Sequence, residues 1–398
     1  MEVFQMDNIA TLFMAVIVLL TGRFVRSKVG LLRRFFIPIP VIGGVIFAIL
    51  TLVGHYTNTF EFNFDGTLKS LFMIAFFTTI GFMASFKLLA KGGVQVVIFL
   101  VAATALVILQ DVVGISLAKV FGLPPLFGLA AGSVPLTGGH GTSGAFGPLL
   151  EQAGATGATA VAIASATYGL VAGCLIGGPI GRRLMTKFNL KPNEELLADE
   201  HADITNENQA IEVTEHTFFD AATVIIISMG IGSVLVGWLK TVGITLPIYI
   251  GPMLVAAIIR NISDSMKKEL NHKEITIIGN TSLSLFLAMA LMSMRLWDLA
   301  ALAVPLVTIL LVQTVLMGAF AYFVTFNVMG RDYDAAVMAC GHCGFGMGAT
   351  PNAIANMESF TAANYPSFKA FFVIPLVGAL FIDFTNASVI TFFMNMLG

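Results

Sequence analysis

Long apolar runs alternate with short polar breaks along the whole chain, and the runs have the length, about 17 to 25 residues, at which a helix crosses a bilayer. In the first half they fall at 8–25, 37–54, 68–86, 93–120 and 158–180. Between the fourth and fifth lies 126–150, apolar at both ends but broken in the middle by TGGHGTSG (137–144), too rich in glycine for one continuous helix. Such a segment predicts a re-entrant hairpin. The second half repeats the layout at 217–239, 246–259, 275–294, 299–324 and 368–396. Its own broken segment, 335–357, carries GHCGFGMGATP (341–351) and again sits between the fourth and fifth runs. The expected fold class is an all-α polytopic membrane protein.

Apolar periodicity stops between the halves, where Glu194, Glu195, Asp199, Glu200, Asp203, Glu207, Glu212 and Glu215 crowd together. The expected organisation is therefore a first membrane repeat over 1–186, a cytoplasmic polar linker over 187–216 and a second membrane repeat over 217–398. Landmarks recur at nearly one offset: Pro40 and Pro247 are 207 residues apart, Gln110 and Gln313 are 203 apart, and Gly132 with Gly341, like Gly139 with Gly348, are 209 apart. That regularity indicates a duplicated unit. Five spans are an odd number, so the two repeats run through the membrane in opposite senses, an inverted-topology pair. Charge gives an independent reading: of the 21 Lys and Arg residues, all but Lys69, Lys119, Lys240 and Arg295 fall in loops on one side. The positive-inside rule makes that side cytoplasmic and puts both termini outside. The first run, preceded by Glu2 and Asp7 and followed by Arg23, Arg26 and Lys28, reads as a retained span and not a signal peptide.

Composition agrees with this picture. With 57% hydrophobic and 11% charged residues and a mean hydropathy of +0.89, the chain holds more apolar surface than a soluble domain of its size buries. A net charge of -2 gives no support to a nucleic-acid partner. Cys340 and Cys343 have CxxC spacing around His342, but no second ligand pair exists, and with Cys174 they read as small buried hydrophobes.

Broken backbone at membrane depth is tolerated where it is buried in protein or lines a watery cavity, so the two broken segments are expected to meet and form one site. The first supplies Ser133, Thr137, Gly138, Gly139, His140, Gly141, Thr142 and Ser143; the second supplies Gly346, Gly348, Ala349, Thr350 and Asn352. Thr350 and Pro351 read as the N-cap and first residue of a returning helix, whose amides attract anions. No Lys or Arg lies in either segment, so amides and hydroxyls are expected to hold a carboxylate unless a helix-end cation reaches in. Asp383 is the deepest carboxylate, and a charge at that depth calls for a partner. With Asn386, Asn356, Gly344 and Ser388 it is expected to offer oxygens to a sodium ion. Asp111, His140 and His342 read as structural hydrogen-bonding groups. Asn280, Thr281, Ser282 and Ser284 form a polar patch that lines a pathway or caps a helix.

Long ordered motifs carry a family likeness: IPIPVIGG (37–44), GSVPLTGGHGTSGA (132–145), NTSLSLFLAMALMSM (280–294), YDAAVMACGHCGFGMGATPNAIANM (333–357) and PLVGALFIDFTNASVI (375–390). Over nearly its full length the chain resembles the bacterial sodium/glutamate symporters. The resemblance implies L-glutamate uptake driven by co-transported Na+ in the inner membrane, and two inverted five-span repeats, each with a re-entrant loop. A related fold in citrate carriers implies a homodimer and an elevator-like motion. The other readings are a carrier of another small dicarboxylate or amino acid, a passive channel, and a membrane-embedded enzyme using His140 or His342.

Overall fold

The structure is a computed structural model that describes residues 2–34, 37–87, 93–191, 213–241, 248–268, 270–294, 296–297 and 302–397. Most of the expected linker lies outside these residues, as do Lys91, Pro247 and Arg295. The first half contains α1 (Asn8–Lys28), α2 (Ile39–Tyr56), α3 (Thr67–Met83), α4 (Gly93–Val120), the short helices α5 (Leu126–Ala130) and α6 (Ser133–Leu136), then α7 (Gly139–Gln152) and α8 (Ala158–Phe188). The second half contains α9 (Glu215–Thr241), α10 (Ile250–Ser265), α11 (His272–Met292), α12 (Ala303–Phe320), α13 (Tyr333–Gly346), α14 (Thr350–Ala362), α15 (Phe368–Leu380) and α16 (Ile382–Leu397). Seven described helices are long and apolar enough to cross a membrane, or eight if the bent last pair counts as one span.

Local chemistry sets several of these ends. Asp7 caps α1 by accepting from Ala10 N–H at 2.8 Å, and Arg26 and Lys28 in the last turn complement the helix dipole. Asp332 caps α13 through Ala335 N–H at 2.7 Å, and Ser367 caps α15 while donating to Asp334 at 2.6 Å. Asn189 in the left-handed region stops α8.

Three features depart from the apolar pattern. The chain is not purely helical: β1 (Glu2–Met6) and β2 (Phe60–Phe64) pair in parallel, with Phe4 opposite Phe62 and their rings stacked at 5.5 Å. The last span is not straight, since 368–378 and 382–397 meet at 43°. The run at 299–324 continues past α12 through a π-helical turn, Ala321–Thr325, to Val328. There Thr325 Oγ1 lies 2.8 Å from Nδ1 of buried His342.

The helices pack as two groups. One comprises α1, α2, α3, α9, α10 and α11; the other comprises α4 to α8 and α12 to α16. They touch where α11 meets α7 and where α15 and α16 meet α3. Inside the first group α1 and α2 cross at Gly22 and Gly43, and α9 and α10 cross at Gly232 and Gly251, each so close that a methyl group would overlap the facing backbone. A Cβ on Gly43 would strike the Val18 carbonyl. Gly43→Ala is therefore expected to destabilise the protein by about 1–3 kcal/mol, the usual cost of forcing extra volume into a packed contact. A thermal midpoint in detergent checks this, and an unchanged midpoint counts against so tight a crossing.

Candidate functional site

The two glycine-rich segments lie against each other, held by one buried glutamine. Gln110, on α4, donates from Nε2 to the Gly346 carbonyl at 2.7 Å and accepts at Oε1 from the Thr137 hydroxyl, also at 2.7 Å. The same hydroxyl lies 3.4 Å from the Gly346 oxygen, and Gln313 Nε2 donates to the Gln110 carbonyl at 2.7 Å. One side chain thus ties the end of α6 to the end of α13. Gly139 begins α7 at φ +64, a conformation that favours glycine, and a Cβ there would lie 3.1 Å from the Gly348 oxygen.

Beside this junction is a cavity of about 440 Å³, within the range of small-molecule sites. Its wall on one side is Thr137, Gly138, Gly139, His140, Gly141 and Thr142, with Gly348, Ala349, Thr350, Pro351 and Asn352. Leu170, Phe345, Gly378, Ile382 and Asp383 complete that side. The other wall comes from the first helix group and the chain leading into it: Arg26, Pro38, Ile39, Pro40, Phe76, Ile80, Leu283, Ser284 and Leu287. The cavity therefore lies on the seam between the two packing groups.

Asn352 donates from Nδ2 to the Leu170 carbonyl at 2.9 Å and contacts Cys174 Sγ at 3.0 Å. Its Oδ1 is buried with no hydrogen-bond partner among the described residues. His140 Nε2 lies 3.0 Å from Thr167 Oγ1. Because the Thr167 hydroxyl donates to the Ile163 carbonyl at 3.0 Å, its lone pair receives the imidazole proton, which assigns His140 the Nε2–H tautomer and leaves Nδ1 as an acceptor. Thr350 is not the cap of α14: Ala349, in extended conformation, holds that position, and Thr350 and Pro351 open the first turn. The boundary lies one residue earlier because the Ala349 carbonyl already accepts from Asn352 and Ala353 N–H, at 2.9 and 3.2 Å.

Other expected site residues stand behind this wall. Ser133 is fully buried and gives both its N–H and its hydroxyl to Asp111, at 2.8 and 2.9 Å. Ser143 donates to the Gly139 carbonyl at 2.7 Å. Asn386 donates to the Ser133 carbonyl at 3.2 Å, and its buried Oδ1 has no partner among the described residues. Asn356 donates to the Gly173 and Cys340 carbonyls at 3.0 and 3.3 Å. Gly344 packs on the backbone of Asn352 and Ala353. Of the five residues expected around sodium, Asp383 lines the cavity, Asn386, Asn356 and Gly344 are inside the second helix group, and exposed Ser388 donates to the Phe384 carbonyl at 3.0 Å.

Arg26 is a cationic cavity residue that the sequence left unassigned: a helix-end cation was allowed for, but Arg26, in the last turn of α1, counted only toward the charge bias and the reading of the first run as a retained span. Its place just before the IPIP turn was a usable signal. Asn280, Thr281, Ser282 and Ser284 lie in the middle of α11, so they do not cap that helix, and of the four Ser284 lines the cavity.

Comparison with known proteins agrees with the motifs. A family model described as sodium/glutamate symporter matches residues 4–366. A protein of Escherichia coli strain K12 named sodium/glutamate symporter is 43% identical over 397 residues, covering 99% of this chain and 98% of its own length. One of the same name from Haemophilus influenzae is 42% identical over 384 residues, covering 96% and 95%. Transporters of this kind are not enzymes. With the family pattern running through both broken segments and the relatives aligned almost end to end, this multi-pass chain belongs to the sodium/glutamate symporter family.

Proposed function

We propose that the chain imports L-glutamate by symport with Na+ across the bacterial inner membrane, as a homodimer of two inverted five-span repeats whose broken segments are re-entrant hairpins. The observation that carries this reading is the meeting of both segments at one cavity, Thr137 to Thr142 beside Gly348 to Asn352. Glutamate brings two carboxylates and one ammonium. Tip amides and the Thr142 and Thr350 hydroxyls donate to carboxylates, as helix N-termini do. Asn352 Oδ1, His140 Nδ1 and the Asp383 carboxylate accept from the ammonium or face a cation. Asp383 is the only acidic residue among the described residues lining the cavity, and for Na+ we add Asn386 Oδ1, one helical turn from it, with Asn356 and Gly344 behind the second tip. Each unit charge entering across 100 mV contributes about 2.3 kcal/mol to uptake.

The duplicated unit has support beyond sequence offsets. The glycine crossings Gly22–Gly43 and Gly232–Gly251 are equivalent under the repeat, and the first packing group takes the first three long helices of each half. An elevator-like motion fits the placement of the cavity: one group carries both tips, and the other supplies the facing wall. With basic loops inside and both termini outside, Arg26 and Pro38 to Pro40 lie at the cytoplasmic ends of α1 and α2, so this conformation faces inward.

Asp383→Asn is expected to raise the sodium concentration for half-maximal uptake of labelled L-glutamate by about tenfold, equivalent to about 1.4 kcal/mol. A sodium titration in proteoliposomes measures it, and an unaltered titration removes Asp383 from the coupling site. Competition in the same assay by L-aspartate, L-glutamine and small dicarboxylates separates glutamate from the alternative substrates.

A further inference from the structure

We infer that Arg26 is a specificity residue that holds a substrate carboxylate at the cytoplasmic stage of the cycle and not at the external one; this rests on the glutamate reading above. Three observations carry it. Arg26 lines the same cavity as Thr137, Thr142, Thr350 and Asn352, and no other Lys or Arg among the described residues does. Its Nε is buried without a hydrogen-bond partner among the described residues, and none of the ion pairs found among them includes it. Finally, Arg26 belongs to α1, in the helix group opposite the one that carries both tips.

By the first two observations Arg26 has neither an ion pair nor a hydrogen-bond acceptor for its Nε among the described residues. A guanidinium with a desolvated N–H is costly unless an anion meets it, and its planar fork matches a carboxylate better than any other side chain does. Among the described residues Asp383 is the one carboxylate in the wall, and a cation arriving with the substrate competes for it. A ligand with two carboxylates leaves one for the tip amides and one for Arg26. A neutral amino acid of similar size lacks the second, so Arg26 discriminates the acidic substrate from its amide.

The third observation makes the contact one-sided. If the tips travel relative to the first helix group, they carry the substrate away from Arg26. Its contribution therefore belongs to the conformation seen here, in which the tips and Arg26 share a cavity, and is absent when the tips face outward.

The test uses the full-length protein in proteoliposomes at saturating Na+, with half-saturation for labelled L-glutamate measured separately at the two faces. Arg26→Gln is expected to raise the cytoplasmic-face value at least about tenfold, the size of a lost hydrogen bond to a charged group, while the external-face value stays within about twofold. Arg26→Lys should give a smaller rise on the same side, because it restores charge without the fork, and it serves as the test if the Gln variant fails to fold. L-Glutamine should compete better against glutamate at the cytoplasmic face of Arg26→Gln than of the wild type. An unchanged cytoplasmic value, or equal rises at both faces, would overturn the inference. If the wild-type chain does not carry glutamate at all, the glutamate reading fails first and the assignment of Arg26 falls with it.

Discussion

Asp111→Ala is expected to destabilise the protein by about 2–5 kcal/mol and to abolish uptake, because two buried donors lose their acceptor together. The carboxylate takes the Ser133 N–H at 2.8 Å and the Ser133 hydroxyl at 2.9 Å, and both residues are fully buried. Each stranded donor costs about 1–3 kcal/mol in such surroundings. The damage is local to the start of α6, the helix that leads into the first tip. Asp111→Asn should be far milder: its oxygen still accepts the N–H, and the Ser133 hydroxyl rotates to accept from the new amide. Thermal unfolding in detergent distinguishes the two variants. Equal midpoints for Ala and Asn would show that the hydrogen bonds to Ser133 contribute little.

Gln110→Leu should have the second largest effect, about 1–3 kcal/mol of stability and a loss of most uptake activity. The volume is nearly kept, but the Gly346 carbonyl loses its donor and the Thr137 hydroxyl loses its acceptor. These two orphans partly satisfy each other, since the hydroxyl already lies 3.4 Å from the Gly346 oxygen and can close that gap. The cost is therefore nearer one lost hydrogen bond than two. That compensation makes a further prediction. Thr137→Val added to Gln110→Leu should cost more than Thr137→Val added to the wild type, because only in the double variant is the Gly346 carbonyl left without any side-chain donor. Transport falls further than stability does, because the tie sets where the two tips stand relative to one another.

How much of this was legible in the sequence depended on whether the signal was local. The broken segments were plain as glycine runs inside apolar stretches, and the cavity is indeed walled by Thr137 to Thr142 and Gly348 to Asn352. Gln110 and Gln313 stood out as a matched pair, but their function did not, since a hydrogen bond from Gln110 to Gly346 spans 236 residues. The strand Phe60–Phe64 has a strict alternation of aromatic and polar residues, a readable signal. Its partner at the very start of the chain is what makes it a strand, and parallel pairing across that distance leaves no turn motif to read. The bend after Gly378 was hidden for a different reason. Gly378 packs against Thr350, whose Oγ1 would lie 2.7 Å from a Cβ there, a tertiary contact that no local pattern announces. Arg26 was misfiled because a basic residue ending a membrane helix is ordinary, and only packing puts its buried Nε beside the tips.

The most direct measurement is uptake of labelled L-glutamate by the purified, full-length chain in sealed proteoliposomes, with and without an inward Na+ gradient. Accumulation above the external concentration is expected only with the gradient, and it should collapse when an ionophore dissipates the sodium difference. Accumulation that is indifferent to sodium, or glutamate flux that only equilibrates the two sides whatever the gradient, would contradict it.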